Sequence, residues 1–221
     1  MLTKNIHFKN FHLKKIDKNI KKDLKKLFKE KNAILDSLSE NYKNSYSKKN
    51  LLNLKNYKKV RVIGMGGSIL GTEAIFDFLR PKIKKSFEFI NNLEANKIFR
   101  KNNNKIINLI VSKSGNTLET ISNSNIFIKK NNKNIFITEN KASYLFLLAK
   151  KLKAEIVHHN NFIGGRFSVL SEVGMLPAEL MGLNPNKFKQ LNNLIKNQKF
   201  INSLLINVSN TLFFLKKKKF N

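Results

Sequence analysis

The middle of the chain contains five short, mainly apolar runs, separated by segments with helical periodicity. The runs are residues 60–63, 87–90, 106–111, 135–138 and 155–157. The segments that predict helices are residues 67–79, 94–103, 117–130 and 142–152. Strands that are nearly continuous in apolar residues are buried on both faces, and their alternation with helices is typical of parallel sheets. The pattern predicts a doubly wound α/β fold, with a parallel sheet covered by helices on both faces.

The two ends of the chain have different patterns. Residues 13–36 place apolar side chains at helical spacing among lysines, which predicts a packed amphipathic helix. Residues 40–50 are polar and predict a linker, and the Lys/Asn-rich chain after Pro185 predicts helix. The apolar run 212–215 resembles the start of another buried strand. We therefore expect a helical segment, an α/β domain and a helical connector, over residues 1–54, 55–183 and 184–221.

The strong positive charge does not by itself indicate a nucleic-acid partner. The 221 residues carry a formal net charge of +29, but Lys, Asn, Phe and Ile are all abundant, as A/T-rich codons would produce. The basic residues are spread along the chain without arginine clusters or the aromatic pattern of an RNA-binding sheet. We interpret the lysines as solvated surface and expect no nucleic-acid partner.

Other composition features exclude several kinds of site. The chain has no cysteine, so disulfides, thiol catalysis and thiolate metal sites are excluded. No His/Asp/Glu group has metal-ligand spacing, and we expect no metal and no cofactor. No apolar run approaches the ~20 residues that span a bilayer, and the N-terminus lacks a signal-like apolar core. We therefore expect no membrane partner and a cytoplasmic location.

The first loop with candidate chemistry follows the first predicted strand and reads Gly64-Met-Gly-Gly-Ser-Ile-Leu-Gly71. Glycines there allow close approach of the backbone to a ligand and open its amides. The loop lacks the dinucleotide fingerprint, because Ile69 occupies the position of the third glycine. A structural tight turn is the alternative; we favour a loop that contacts a sugar or a phosphate.

The second loop, Ser112-Lys-Ser-Gly-Asn-Thr117, follows the third predicted strand and leads through Leu118-Glu119 to Thr120. Several hydroxyls, free amides and the positive end of a helix together suit a phosphate monoester. An N-cap cluster is the alternative, but capping needs one hydroxyl and four are present. The loop is not a P-loop, since the Gly-Lys-Ser/Thr ending is missing.

The third loop is Gly164-Gly-Arg-Phe-Ser-Val-Leu-Ser171. Only four of the 43 basic residues are arginine, and Arg166 is one of them. Its rigid, permanently charged fork suits an anion or a developing oxyanion better than a lysine would. Taken in order, the three loops resemble the glucose-6-phosphate isomerase (phosphoglucose isomerase) family, which is built on sugar isomerase domains. The resemblance covers roughly residues 55–183, and the third loop narrows it to this isomerase.

The resemblance implies a reaction and a set of site residues. The reaction would interconvert glucose 6-phosphate and fructose 6-phosphate through an enediolate, in an enzyme that is a homodimer when complete. Arg166 would lie near the reacting C1–C2 bond and stabilise the enediolate. The substrate-binding residues would be Gly67, Ser68 and Gly165 beside the sugar, and Ser112, Lys113, Ser114, Thr117 and Thr120 around the phosphate.

The general base of the family is not matched in this chain. In the family a glutamate in a second sugar isomerase domain carries the proton, whereas residues 180–221 here contain neither Asp nor Glu. Glu172 and Glu179 do not match the motif of that base and are interpreted as structural, and His158 and His159 do not match the family's histidine. We expect the amino-terminal half of an isomerase. The alternatives are a non-catalytic regulatory domain that binds sugar phosphates and, on charge alone, a general polyanion-binding protein.

Overall fold

The computed structural model describes residues 16–47, 51–54, 56–93, 106–129, 132–190 and 192–217. These residues form two compact units. One combines the described residues up to Asn32 with those from Lys189 on, and the other runs from Ala33 to Phe188. The predicted boundary at residue 54 falls inside the second unit, because the preceding segment packs there.

The second unit is built on five parallel strands in the order β2-β1-β3-β4-β5. The strands are β1 Lys59–Gly64, β2 Ser86–Ile90, β3 Ile106–Val111, β4 Lys133–Thr138 and β5 Glu155–His158. The helices that the structure describes include α1 Lys18–Leu27, α2 Ala33–Ser37, α3 Leu70–Leu79, α4 Leu118–Phe127, α5 Tyr144–Lys151, α6 Glu172–Leu180, α7 Asn192–Ile195 and α8 Gln198–Lys216. All five predicted strands are confirmed; the predicted helix 94–103 lies outside the described residues.

Helices cover both faces of the sheet, as the apolar strands predict. Every residue of β3 is buried, and its successive side chains alternate between two core clusters. Leu109 belongs to the cluster that includes Leu176 of α6, and Ile110 belongs to the cluster that includes Phe127 of α4 and Leu145 of α5. The predicted α/β class is therefore confirmed.

One polar row crosses the buried sheet. The register aligns Glu88, Arg61, Asn108 and Asn134 on four adjacent strands. The Arg61 guanidinium donates to Glu88 Oε2 through Nε and Nη2, both at 3.1 Å, and the Asn108 amide donates to Asn134 Oδ1 at 2.9 Å. Arg61 also lies 4.2 Å above the Phe127 ring. Buried polar groups are tolerated here because each has a partner in the neighbouring strand.

The strand order places a crevice at the carboxyl edge of the sheet. The chain passes from β1 to β2 on one side and then returns to β3 on the other side of β1. In open parallel sheets, ligands bind where the strand order reverses, outside the carboxyl ends of the strands. The loops that follow β1 and β3 flank this position.

The polar segment predicted as a linker is attached to the α/β unit instead. Tyr42 donates its hydroxyl hydrogen bond to Glu172 at 3.1 Å, and Tyr46 donates to Glu179 at 3.0 Å. The two glutamates lie seven residues apart on α6, about two helical turns. We call residues 42–46 the strap. The linker prediction is wrong for these residues, because the hydrogen bonds of two half-buried tyrosines hold them against α6. Residues 48–50 lie outside the described residues.

The other unit corrects two further expectations. The predicted helix 13–36 is interrupted after α1, because residues 29–32 are four consecutive polar residues that offer no apolar face. The run 212–215, predicted as a strand, lies inside the 19-residue helix α8, which begins at the Asn197 cap. A short apolar run does not distinguish strand from helix. Helix α8 packs against α1, and the described helices include none long and apolar enough to cross a membrane.

Candidate functional site at the carboxyl edge of the sheet

The first loop forms a 3-10 turn over Gly66–Ser68, directly after β1. Gly67 lies against the third loop. A Cβ added to Gly67 would lie 2.3 Å from the carbonyl carbon of Gly165 and 2.8 Å from the amide nitrogen of Arg166. Only a glycine allows this approach of two backbones. The structure thus brings Gly67, Ser68, Gly165 and Arg166 together.

The second loop is shaped by the Ser112 hydroxyl. Ser112 is buried at the end of β3, where its Oγ lies 3.1 Å from Thr117 Oγ1 and accepts the Gly115 amide at 3.2 Å. Gly115 has φ +66°, a conformation that favours glycine, and a Cβ there would lie 2.1 Å from Ser143 Oγ. This loop therefore closes tightly at the mouth of α4. Ser114 is exposed beside it and accepts from the Asn116 amide at 3.2 Å.

The N-terminus of α4 is not closed by its own cap. Thr117 occupies the N-cap position but makes no side-chain capping hydrogen bond. One turn further on, the Thr120 hydroxyl is buried and has no hydrogen-bond partner among the described residues. Buried hydroxyls are normally paired, and helix N-termini attract anions. The arrangement differs from a simple N-cap cluster and leaves donors for a ligand.

Lys113 connects the second loop to the segment that leads into the third. Its ammonium donates to the carbonyl of Asn161 at 2.7 Å and lies 3.5 Å from the Glu139 carboxylate. The predicted place of Lys113 beside a phosphate therefore has a competing role, because the ammonium is already engaged. The first loop contacts the third at Gly67, and Lys113 of the second loop holds Asn161, three residues before the third. The first and second are neighbours because they follow adjacent strands.

The third loop forms a 3-10 turn over Gly165–Leu170. Ser168 is buried, and its hydroxyl donates to Gly165 O at 2.7 Å and lies 3.3 Å from Gly67 O. The Arg166 side chain is exposed at the start of this turn. Arg166 directly follows Gly165, whose backbone packs on Gly67, and its exposed guanidinium is available to an anionic ligand.

A buried acid–histidine pair lies behind the third loop. Glu172 accepts the Asn160 amide at 2.8 Å, and its Oε1 is 3.8 Å from Nδ1 of His159. Burial lowers the pKa of His159 below its ordinary value, while the Asn160 carbonyl and Glu172 oppose that shift. Burial and the adjacent Glu172 carboxylate raise the pKa of Tyr42 above its ordinary range. The sequence gives no sign that Tyr42 and Glu172 are partners, because 130 residues separate them.

Comparison with known proteins agrees with this geometry. A sequence model of the phosphoglucose isomerase family matches residues 10–204. The chain belongs to the phosphoglucose isomerase family. The match covers all three loops and confirms the family resemblance of the sequence motifs.

Individual relatives of this family are longer than the chain. A glucose-6-phosphate isomerase of Methanocaldococcus jannaschii is 36% identical over 172 residues, which are 70% of this chain and 42% of that protein. A glucose-6-phosphate isomerase of Mycoplasma genitalium is 33% identical over 151 residues, 59% of this chain and 35% of that protein. The chain thus spans less than half the length of these members of the phosphoglucose isomerase family.

A solved structure supports the fold. A hypothetical protein from Thermus thermophilus superposes with a TM-score of 0.65 over 89% of this chain and 52% of its own, at 19% identity. This likeness concerns the fold alone.

A cavity of about 490 Å³ lies away from these loops, near the amino ends of β1 and β2. Leu51 and Leu52, three lysines between residues 82 and 85, and the end of α6 line it. None of the predicted site residues reaches this cavity. In the described ranges of the chain, no group of three or more His, Asp or Glu side chains is arranged to hold a metal ion.

Proposed function

We propose that the chain is the sugar-phosphate-binding portion of an isomerase that interconverts glucose 6-phosphate and fructose 6-phosphate. The observation that carries the proposal is the meeting of three family loops at the edge where the strand order reverses. The relatives in the family are named glucose-6-phosphate isomerases. The chain contains the second loop, with its hydroxyls, followed by the third loop with Arg166, which we call the arginine loop.

The phosphate end of the substrate would bind at the mouth of α4. Ser112, Ser114, Thr117 and Thr120 supply hydroxyls, and the first turn of the ten-residue helix supplies amides. The unpaired, buried Thr120 hydroxyl supports this assignment, since a phosphate oxygen would give it a partner. Lys113 would add positive charge beside the phosphate while it holds Asn161.

The reacting end of the substrate would lie between the Gly66–Ser68 turn and Arg166. Aldose–ketose isomerisation removes a proton from C2 and returns it to C1, while negative charge builds on the substrate oxygens. Gly67, Ser68 and Gly165 would contact the sugar, and the Arg166 guanidinium would stabilise the charge of the enediolate. A fixed cation helps most where charge develops in the transition state.

The proton transfer itself needs a base that the known motifs do not supply here. Glu172 is buried and bound by Tyr42 and Asn160, and His159 is fully buried behind the loop. Neither is arranged to reach a substrate. We therefore propose that this portion binds the sugar phosphate, and that turnover and the homodimer of the complete enzyme depend on a second portion.

Calorimetric titration with fructose 6-phosphate, together with an isomerase assay, tests this function. Ser112→Ala should weaken binding at least about tenfold, because it removes a hydroxyl that also orders the Gly115 amide. Ser86→Ala, on the exposed start of β2, is the matched control and should bind normally. Arg166→Ala should weaken binding of the sugar phosphate but leave inorganic phosphate binding unchanged.

The outcomes separate the alternatives. Binding without turnover supports a sugar-phosphate site that lacks its base. Binding that Arg166→Ala leaves intact favours the regulatory domain, since a sensor does not need a cation at the reacting carbons. Steeply salt-dependent binding without sugar selectivity would indicate a general polyanion-binding surface and contradict the proposal.

A further inference from the structure

We propose that Glu172 is a positioning residue, whose buried carboxylate holds the segment before the arginine loop and thereby sets the place of Arg166. The inference rests on the proposed function and deepens it, since sequence motifs give Glu172 no role. It also explains a buried carboxylate that has no arginine or lysine as its hydrogen-bond partner among the described residues.

Glu172 is held from two sides. Its side chain is 1% exposed at the first position of α6. Oε1 accepts the Asn160 amide at 2.8 Å, and Oε2 accepts the Tyr42 hydroxyl of the strap at 3.1 Å. Burying a carboxylate is costly unless donors satisfy it, so two short hydrogen bonds indicate a defined arrangement.

The segment that Glu172 holds leads directly into the arginine loop. Asn160 lies six residues before Arg166, and the intervening Ile163 is fully buried. The next carbonyl along, that of Asn161, accepts the Lys113 ammonium at 2.7 Å. Asn160 is therefore held by Glu172 of α6, and Asn161 is held by Lys113 of the second loop. Little freedom remains for the short path from Ile163 through Gly164 to Gly165.

The far end of that path is also fixed. Gly165 lies against Gly67, and the Phe167 amide donates to the Gly164 carbonyl at 2.9 Å. If the hydrogen bond at Asn160 is lost, the segment can shift as a unit with the turn that carries Arg166. The hydrogen bond that closes the second loop, from the Gly115 amide to the Ser112 hydroxyl, lies within that loop and does not involve Asn160.

The test uses the full chain and Glu172→Gln, which preserves side-chain size but replaces one acceptor oxygen by an amide group. The probes are inorganic phosphate and a five-carbon aldonate phosphate, whose carboxylate mimics the charge of the enediolate. Glu172→Gln should keep phosphate affinity and lose about tenfold in aldonate phosphate affinity. Because Glu172 acts through Arg166, adding Glu172→Gln to Arg166→Ala should cause no further loss.

Glu179→Gln is the matched control. Glu179 lies on the same helix and accepts a tyrosine hydroxyl in the same way, from Tyr46. The segment before the arginine loop is held elsewhere: the Asn160 amide donates to Glu172, and the Asn161 carbonyl accepts from Lys113. The aldonate phosphate affinity of Glu179→Gln should match that of the unmodified chain. Tyr42→Phe, with Tyr46→Phe as its control, tests the same support with a smaller change, and only Tyr42→Phe should weaken aldonate binding.

Amide hydrogen exchange provides a readout that needs no ligand. In Glu172→Gln the amides of Asn160 and Phe167 should exchange at least about tenfold faster, while that of Gly115 stays unchanged. Unchanged exchange at Asn160 and Phe167, or fully additive losses with Arg166→Ala, would overturn the positioning role. Equal acceleration at Gly115 would also overturn it, since the residue would then serve general stability.

The proposed function can fail separately. If the unmodified chain binds the aldonate phosphate no more tightly than inorganic phosphate, the isomerase proposal fails. The exchange comparison between Glu172→Gln and Glu179→Gln then still decides whether Glu172 positions the arginine loop.

Discussion

Single glycines determine how closely the loops of this site approach each other. At Gly67 the two backbones are near enough that a methyl group would overlap the Gly165 carbonyl. At Gly164 the surroundings are open, with the nearest atom 3.9 Å from an added Cβ and an extended backbone that any residue adopts. An alanine should therefore be tolerated at Gly164 but not at Gly67.

Gly67→Ala should destabilise the fold by about 1–3 kcal/mol, because the added methyl group forces the two loops apart. It should also weaken fructose 6-phosphate binding, since Arg166 follows Gly165 directly. Urea unfolding and calorimetry measure the two effects. Gly164→Ala should leave both within error, and a similar loss in the two variants would show that the loop contact is not what matters.

The scarcity of arginine among the cations is a useful signal, but it does not say which arginine serves a ligand. Arg61 forks onto Glu88 and lies over Phe127, and Arg80 lies 4.8 Å above the Phe76 ring. Both are contacts that a guanidinium makes better than an ammonium. Arg166 differs from these two arginines in its sequence context, because its neighbours on both sides belong to the motif of the third loop.

The row from Glu88 to Asn134 specifies how the strands of the sheet align. Strands that are apolar throughout can slide past one another with little change in burial, so their hydrophobic pattern specifies alignment weakly. A polar residue on each of four neighbouring strands removes that ambiguity, since only one alignment pairs them all. The row therefore contributes specificity as well as stability.

Arg61→Lys should lower the free energy of unfolding by about 1–3 kcal/mol, because lysine keeps the charge but loses the fork onto Glu88 and the stacking on Phe127. Arg80→Lys is the control, since it removes an exposed ring contact alone and should cost less than about 1 kcal/mol. Equal costs in urea unfolding would contradict a special role of the polar row.

Elements were predictable where local pattern decides them. All five strands follow from short, mainly apolar runs, and α4 and α5 follow from their spacing between strands. The strand predicted at residues 212–215 is wrong, because four apolar residues fit a strand and a helix equally. The Asn197 cap that starts α8 lies fifteen residues before this run. The strap was missed because its partners on α6 are distant in sequence.

At the scale of the whole molecule, stability should depend on pH through His159. The groups that face this buried imidazole are Glu172, Lys113 and Glu139. Burial lowers its pKa in the native state, so below about pH 6.5 the unfolded chain binds a proton that the native chain excludes. Stability should therefore fall as the pH is lowered through that range.

Urea unfolding at pH 7.5 and 5.5 tests this pH dependence. His159→Gln should flatten the dependence by at most about 1.4 kcal/mol per pH unit, the value for one proton. His158→Gln, on the exposed neighbouring residue, should keep the full dependence. If the two variants lose stability equally on acidification, the buried imidazole is not the group responsible.

The candidate site as a whole was predictable as far as its loops, because each motif follows a strand of recognisable pattern. What joins the loops was not. The contact of Gly67 with Gly165, the tie from Lys113 to Asn161 and the carboxylate of Glu172 depend on three-dimensional proximity between distant segments. Sequence motifs identify groups that meet a ligand, whereas the supporting bonds involve ordinary residues without a motif.

The strap has a consequence for how the chain folds during synthesis. Tyr42 leaves the ribosome long before its acceptor, which lies 130 residues further along the chain. At about 5–20 residues per second, Glu172 is made roughly 7–26 s later. The strap therefore emerges early but can dock only after the sheet and α6 have been synthesised. The Glu172 carboxylate therefore receives its Tyr42 hydrogen bond only at that late stage of synthesis.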